Sequence, residues 1–247
     1  MTEIIAHRGG AILWPENSLL AFRRAIAAGV DAVECDVHLS SDGVPMVMHD
    51  PTLERTSNGE GPIAGRTAAE LAGLKLVSAD GEPPPRLSDL LSLLAEGSAG
   101  LQVEIKVGLS GKPDLALLER TLIELDRFGL RPRTEVITFE AEVAAAAVAA
   151  GGLKDVAWLF APPMLRYLGV DGVSAVARRV GAGLVETHES AMDPALLGLL
   201  RGAGLRVGVW GANRAPAIGR ALELGVDAFA TDDPLLAMSM REGMQRG

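Results

Sequence analysis

Cysteine, aromatic residues and positive charge are all scarce in this sequence, and each shortage excludes a class of protein. The 247 residues include one cysteine, Cys35, so an internal disulfide cannot form and a reducing compartment suits the chain. Aromatic residues make up 4% of the chain, fewer than the strands of an all-β sandwich usually contain. The formal net charge is −9 without long charged runs, which argues against nucleic-acid binding.

Long hydrophobic runs are absent as well. No stretch approaches the roughly 20 apolar residues of a membrane span. Residues 1–6 are too short and too acidic for a signal peptide. We therefore expect a cytoplasmic protein with no membrane span. The sequence leaves the oligomeric state open, including a homo-oligomer.

The sequence does contain a repeated pattern of helix, glycine and short aliphatic run. Seven times an Ala/Leu-rich segment ends in a glycine that precedes such a run, as at Gly29-Val30 and Gly225-Val226. Glycine supplies the left-handed cap of a helix, and the aliphatic run is typical of a buried strand. Together with an opening strand, the pattern predicts strands at 3–6, 32–36, 101–106, 135–138, 155–159, 183–186, 205–210 and 228–231. Eight strands alternating with helices indicate an α/β fold, a (β/α)8 TIM barrel formed by residues 1–247 as one domain; a doubly wound open sheet is the alternative.

One gap breaks this rhythm, between about residue 37 and residue 101. It holds too many residues for one loop and one helix. We interpret 51–86 as a small insertion that caps the barrel mouth, and 87–95 as the helix that resumes the pattern. A surface loop without fixed structure is the alternative for 51–86.

Charged side chains lie at predicted strand ends, where the active sites of parallel barrels form. Glu34 and Asp36 alternate with Cys35, so both carboxylates share one face of a strand. Glu104 and Lys106 alternate with apolar residues, so both face the barrel interior. Three carboxylates from neighbouring strands form an oxygen-only site that suits Mg²⁺ or Ca²⁺ and not structural zinc. An ion pair between Glu104 and Lys106 that closes the barrel is the structural alternative.

The motifs around these residues resemble the glycerophosphodiester phosphodiesterase family, which belongs to the phosphatidylinositol phospholipase C-like barrel superfamily. In the family's order, and from residue 4 to about residue 236, they are His7-Arg8-Gly9, Pro15-Glu16-Asn17-Ser18, Glu34-x-Asp36-Val37, Asp42-Gly43, His49-Asp50-Pro51-Thr52-Leu53-x-Arg55-Thr56, Val103-Glu104-Ile105-Lys106 and Thr231-Asp232-Asp233-Pro234. Each motif alone is weak, and together they are highly specific.

The resemblance implies a (β/α)8 barrel with a small insertion after the second strand, a divalent cation, and hydrolysis of glycerophosphodiesters to sn-glycerol 3-phosphate and an alcohol. It also implies residue roles: an acid/base pair of His7 and His49, metal ligands Glu34, Asp36 and Glu104, and phosphate contacts from Arg8 and Lys106. Two histidines with pKa values near neutrality can hold the opposite protonation states that this reaction requires. The attacking oxygen, either water or a neighbouring glycerol hydroxyl, stays open.

The alcohol side of the pocket is less defined by the sequence. Trp210, at the end of the seventh predicted strand, is the predicted substrate contact, and further candidates are Trp14, Phe160, Met164 and Tyr167. Core packing is the alternative role, expected for about half of this group. After Trp210 the family usually has Thr-Val-Asn, whereas this chain has Gly211-Ala212-Asn213, which leaves the chemistry intact but affects substrate contacts at that rim. Two further histidines are weaker candidates, His188 and His38, and we interpret His38 as a polar residue of the loop after the second strand.

Two other functions stay open. A related barrel phospholipase would act on lipid phosphodiesters at a membrane surface, but the acidic charge and the lack of a basic or apolar surface segment count against it. A non-catalytic barrel that binds phosphoesters would not need two histidines and three carboxylates together. The expected partner is a small-molecule glycerophosphodiester.

Overall fold

Eight parallel strands form a barrel surrounded by helices in the computed structural model, which describes residues 1–246. The strands within this range are β1 (Glu3–Ala6), β2 (Ala32–Leu39), β3 (Pro45–Val47), β4 (Gly100–Ile105), β5 (Thr134–Thr138), β6 (Asp155–Leu159), β7 (Leu184–His188), β8 (Arg206–Trp210) and β9 (Ala228–Thr231). The helices are α1 (Leu19–Ala28), α2 (Ala68–Leu71), α3 (Leu87–Ala95), α4 (Leu115–Arg127), α5 (Ala141–Ala150), α6 (Pro162–Val180), α7 (Pro194–Gly202), α8 (Ala215–Leu224) and α9 (Pro234–Arg246). None of these helices combines the length and the apolar composition needed to cross a bilayer.

The pairing of β1 with both β2 and β9 closes the barrel. Ile5 of β1 lies opposite Ala32 of β2 on one side and Ala230 of β9 on the other, and parallel pairing continues through the remaining strands to β4. A doubly wound open sheet would leave two unpaired edges, so that alternative is wrong and the predicted (β/α)8 barrel is confirmed. The short β3 lies outside the barrel, antiparallel to the end of β2.

The glycine pattern located the elements closely because it depends on local backbone chemistry. Ser18 caps α1 by accepting a hydrogen bond from the amide of Ala21, and Gly29 ends the helix in a left-handed conformation. The helix expected at 87–95 is α3. The second strand extends to Leu39, beyond its predicted end, because its outer half pairs with β3.

Apolar residues fill two layers on the two sides of the barrel wall. Outward-facing strand residues such as Ile4 and Val103 belong to the same large buried cluster as helix residues such as Phe22, and Cys35 is buried there too. A smaller cluster inside the barrel consists of Ile5, Ala32, Ala228 and Ala230. Since side chains alternate along a strand, the polar residues between the outward-facing ones point into the barrel.

Residues 51–86 contain an apolar cluster of their own. Leu53, Ile63 and Leu71 are buried against Met46 and Met48, which lie in and just after β3. The cluster gives the segment a fixed conformation next to the outer half of β2. Its role as a cap over the barrel mouth stays a prediction.

Candidate active site

A pocket of about 210 Å³ opens within the barrel, at the carboxyl ends of the strands. It is lined by His7, Arg8, Glu34, His49, Gln102, Glu104, Lys106, Ile137, Phe139, Leu159, Glu186, Trp210 and Ala230. Seven of the eight site residues predicted from the sequence are in this lining. The eighth, Asp36, is fully buried beside it.

Three carboxylates converge on one side of the pocket. Asp36 of β2 lies directly opposite Glu104 of β4, and Glu34 is two residues before Asp36 on the same face. One oxygen from each of the three lies within 4.8 Å of the others. Within residues 1–246, Glu34 Oε1 and Asp36 Oδ1 are buried without a hydrogen-bond partner. Buried carboxylate oxygens without donors fit a hard divalent cation such as Mg²⁺ or Ca²⁺, so these residues could hold the predicted metal.

Burial and neighbouring charges shift the pKa values of this cluster. Burial and the neighbouring charge of Asp36 raise the pKa of Glu34 to about 8. Burial raises the pKa of Glu104 to about 7, although the charge of Lys106 acts against it. Burial also acts to raise the pKa of Asp36, but Lys106 and Arg8 hold it well below its ordinary value. A bound cation would favour the ionised form of all three carboxyls.

Two cationic side chains stand beside the carboxylates. Lys106 Nζ lies 3.0 Å from Glu104 Oε1 and 3.4 Å from Asp36 Oδ1, so the ion pair considered as a structural alternative is present but its lysine also lines the pocket. Arg8 Nε lies 3.3 Å from Asp36 Oδ2. Both are placed to contact a phosphate held against the cluster.

Arg8 has an unusual backbone conformation, with φ of 52° in the left-handed region. This turn directs its amide at Glu34 Oε2, to which it donates a hydrogen bond of 2.8 Å. The strained turn at the end of β1 therefore helps to fix both the guanidinium and one carboxylate.

His7 is held by a carboxylate from the far end of the chain. Its Nδ1 donates to Asp232 Oδ1 at 2.6 Å, while its Nε2 lies 4.0 Å from Glu34 Oε2. Asp232 is itself fixed by Asn213, which donates to Oδ2 at 2.5 Å and accepts from the amide of Asp232 at 2.8 Å. Burial acts to lower the pKa of His7, but the hydrogen bond to Asp232 and the charge of Glu34 outweigh it and raise the pKa.

His49 has a similar partner. Its Nδ1 donates to Asp50 Oδ1 at 2.6 Å, and Asp50 accepts a 2.5 Å hydrogen bond from Arg55 Nε. Burial lowers the pKa of His49, against the opposing charge of Asp36. The two histidines therefore have pKa values shifted in opposite directions.

The sequence analysis quoted Asp232, Asp50 and Asn213 within motifs but gave them no role. The position of each aspartate next to a strand end or a histidine was the available signal. The interpretation of His38 as a loop residue is wrong, because it belongs to β2 and is 5% exposed. Its Nε2 donates to the carbonyl of His49 at 3.1 Å.

The opposite side of the pocket is apolar and aromatic. Trp210 lines it as predicted, and Phe139, which the sequence analysis did not name, lies edge-on to Trp210. Phe160 is buried in the main core, which is the alternative role expected for about half of these candidates. Trp14, Met164 and Tyr167 are not among the lining residues either.

At Gly211, where the sequence departs from the family motif, a side chain would collide with His188. Gly211 has φ of 83°, and a Cβ there would lie 2.8 Å from Nε2 of His188. The imidazole of His188 packs edge-on against Trp210, with ring centroids 4.6 Å apart. The small residue at 211 thus accommodates a histidine from β7 at this rim.

Comparisons with known proteins identify the family of the chain. The model of the Glycerophosphoryl diester phosphodiesterase family matches residues 7–236. A glycerophosphodiester phosphodiesterase of Caldanaerobacter subterraneus subsp. tengcongensis is 31% identical over 242 residues, covering 94% of this chain and 95% of the relative.

Two solved structures extend the comparison. A protein of Agrobacterium tumefaciens, provisionally assigned as a glycerophosphoryl diester phosphodiesterase, has a TM-score of 0.97 and 30% identity over the full length of both chains. A phosphodiesterase of Oleispira antarctica, solved with the product sn-glycerol 3-phosphate, has a TM-score of 0.81 and 25% identity over 97% of this chain and 96% of its own. The chain therefore belongs to the glycerophosphoryl diester phosphodiesterase family and is a phosphodiesterase of that family.

Proposed function

We propose that this chain hydrolyses glycerophosphodiesters to sn-glycerol 3-phosphate and an alcohol, with a divalent cation and with His7 and His49 as the acid/base pair. The observation that carries the proposal is that one pocket joins a carboxylate cluster, two cationic side chains and two carboxylate-held histidines. The solved complex of the Oleispira antarctica phosphodiesterase with sn-glycerol 3-phosphate supports the same product. We place the reaction in the cytoplasm, in keeping with a free, buried thiol at Cys35.

A phosphodiester is anionic and has a poor alkoxide leaving group, so the site must neutralise charge and move two protons. A divalent cation on Glu34, Asp36 and Glu104 would supply positive charge to the phosphate. Arg8 and Lys106 bind and orient the phosphate oxygens from the side of the cluster. One histidine accepts the proton of the attacking oxygen, and the other donates a proton to the departing alkoxide.

The two aspartate partners set which ring nitrogen faces the substrate. Because Asp232 and Asp50 each accept a hydrogen bond from Nδ1, Nε2 of each histidine is directed away from the carboxylate and is available for proton transfer. This arrangement is maintained only while the carboxylates accept.

We therefore expect Asp232→Asn to lower kcat about 10–100-fold with little change in KM, since an amide can force the other tautomer or ring orientation on His7. Steady-state kinetics with glycerophosphocholine measure the effect. Glu189→Gln, which removes a carboxylate paired with Arg220 on the surface, is the matched control. Equal activity of Asp232→Asn and the control would refute a positioning role for Asp232.

The reaction is tested by following glycerophosphocholine with ³¹P NMR in the presence of Mg²⁺ or Ca²⁺. The proposal predicts sn-glycerol 3-phosphate and choline. Phosphocholine and glycerol would mean cleavage of the other phosphorus–oxygen bond and would contradict it. Turnover confined to phospholipid vesicles would favour the phospholipase alternative, and binding without turnover would favour the non-catalytic barrel.

We also propose that residues 51–86 influence access for the alcohol part of the substrate. None of them lines the pocket, but Arg55 links this segment to Asp50 and Glu16 at its edge. The segment therefore acts at the mouth, on the part of the alcohol that extends from the pocket.

Shortening the glycine-rich tip at 58–61 should change the order of kcat/KM among glycerophosphocholine, glycerophosphoethanolamine and glycerophosphoglycerol. Hydrolysis of bis(p-nitrophenyl) phosphate should stay unchanged, because the phosphate chemistry lies elsewhere. The melting temperature controls for folding, since Gly59 packs closely against Leu53 and Leu74. An unchanged order of substrates in a folded variant counts against a cap.

A further inference from the structure

The floor of the pocket is formed by two polar side chains that the reaction above does not use. Gln102 of β4 is fully buried and Glu186 of β7 is 2% exposed, yet both line the pocket. Gln102 lies opposite Glu34 in the register of β2 and β4, and it precedes Glu104 by two residues. The floor is therefore adjacent to the carboxylate cluster.

A hydrogen-bond network that includes Glu135 of β5 fixes the two floor side chains. Gln102 Nε2 donates to Glu186 Oε1 at 2.8 Å and to Glu135 Oε2 at 2.9 Å, which uses both of its N–H bonds. Its Oε1 is buried and accepts no hydrogen bond from residues 1–246. Leaving a buried acceptor unpaired is costly, so a donor from a ligand or solvent molecule in the pocket would be stabilised there.

The neighbouring strand leaves room for Glu186. Gly208 of β8 lies opposite Glu186 in the register, and a Cβ at 208 would lie 2.8 Å from Glu186 Cγ. Any larger residue at 208 would displace the carboxyl from the floor. Glycine is therefore required at 208 to make space for Glu186, and not to form a turn.

The charge state of Glu186 complements the free acceptor of Gln102. Burial and the charge of Glu135 raise the pKa of Glu186 to about 8, although the hydrogen bond from Gln102 acts against this. The raised pKa favours the protonated carboxyl, which can donate a hydrogen bond. A hydroxyl group both donates and accepts, so it matches a floor with one donor and one acceptor.

We propose that Glu186 and Gln102 are specificity-determining residues that bind a substrate hydroxyl at the pocket floor and so select polyol phosphodiesters. The inference rests on the proposed function and names the group that the floor recognises. The hydroxyl belongs either to the glycerol half of the substrate or to a hydroxylated alcohol half. A purely structural role for the network predicts no dependence on substrate hydroxyls.

The test compares Glu186→Leu and Glu186→Gln on glycerophosphocholine, which has hydroxyls, and on bis(p-nitrophenyl) phosphate, which has none. Glu186→Leu should lower kcat/KM for glycerophosphocholine about tenfold, the value of one lost hydrogen bond, and leave bis(p-nitrophenyl) phosphate unchanged. Glu186→Gln should stay near the wild-type value, because the amide also donates. Equal losses on both substrates, or no loss on any hydroxylated substrate, would overturn the proposal.

Two further variants distinguish the floor side chains from the hydrogen-bond network that holds them. Gly208→Ala should reproduce part of the Glu186→Leu effect by displacing the carboxyl. Glu135→Gln removes the charge beside Glu186 but leaves both floor side chains in place and does not line the pocket, so the ratio of the two activities should change less than in Glu186→Leu. A change of that ratio in Glu135→Gln as large as in Glu186→Leu would assign the effect to the network and overturn the proposal.

Glycerophosphoglycerol identifies the source of the hydroxyl. A loss on glycerophosphocholine places the glycerol half on the floor, since choline in that diester has no free hydroxyl. A loss confined to glycerophosphoglycerol places the alcohol half there. Either result supports hydroxyl recognition.

Calorimetry separates this inference from the proposed function. With Ca²⁺ present, and with the glycerol half on the floor, Glu186→Leu should weaken binding of sn-glycerol 3-phosphate about tenfold and leave inorganic phosphate unchanged. A wild-type protein that shows this binding preference but hydrolyses no glycerophosphodiester would refute the proposed function and leave the floor assignment standing. Equal weakening of both ligands would overturn the floor assignment.

Discussion

His7→Ala and His49→Ala should each lower kcat by about 10²–10⁴-fold, the usual contribution of a positioned acid or base. Each imidazole is oriented by an aspartate and lines the pocket beside the carboxylate cluster. The affinity for the divalent cation should change little, because the cluster of Glu34, Asp36 and Glu104 is complete without them. Steady-state kinetics and a cation titration of the same preparations measure the two quantities.

The leaving group distinguishes the two roles. A substrate that releases p-nitrophenolate needs no acid, so it should rescue whichever variant has lost the acid and leave the other impaired. His188→Ala is the control, since this histidine packs on Trp210 at the rim and transfers no proton in this account. Rescue of neither variant would show that the division of roles is wrong, and a collapse of cation affinity would assign that histidine to the metal site.

The wild-type pH profile of kcat/KM should be bell-shaped, since one group must be protonated and the other deprotonated. The two apparent pKa values of this profile describe the coupled site and not either histidine alone. In each histidine variant the activity that remains should no longer fall on one side of the profile, either the acidic or the basic side.

The placement of the strand-end side chains was predictable because it depends on short-range patterns. Alternation along a strand placed Glu34 and Asp36 on one face, and the same rule turned Glu104 and Lys106 into the barrel. The barrel followed from repeated helix caps, which are local too. These features need no knowledge of distant contacts.

The residues that hold the histidines in place and complete the pocket could not be predicted from such short-range patterns. Asp232 is 225 positions from His7, and only the closure of β1 against β9 brings them together. The buried position of His38 depends on the hairpin with β3, a strand of three residues that is too short to show a period. The aromatic lining depends on tertiary packing, which is why Phe139 was missed.

Exhaustive chelation should abolish turnover, and Mg²⁺ or Ca²⁺ should restore it. Glu34, Asp36 and Glu104 offer only oxygen ligands, and the first two have buried oxygens without a hydrogen-bond partner within residues 1–246. Without a cation, Arg8 and Lys106 are the positive charges beside this cluster, and both are already paired with its carboxylates, so little positive charge is left for the phosphate. Asp36→Asn and Glu104→Gln should each weaken cation binding and lower activity in parallel.

Arg220→Gln, a change in a surface ion pair far from these ligands in sequence, is the control for chelation. It should lose and regain activity as the wild type does. A metal-site variant that keeps wild-type cation affinity would remove that residue from the ligand set.

The most direct measurement is a calorimetric titration of EDTA-treated protein with Mg²⁺ or Ca²⁺, with glycerophosphocholine turnover assayed at each step. The account predicts one cation site per chain whose saturation coincides with the return of activity, and loss of both in Glu34→Gln. Full turnover by protein that elemental analysis shows to be free of metal would contradict it.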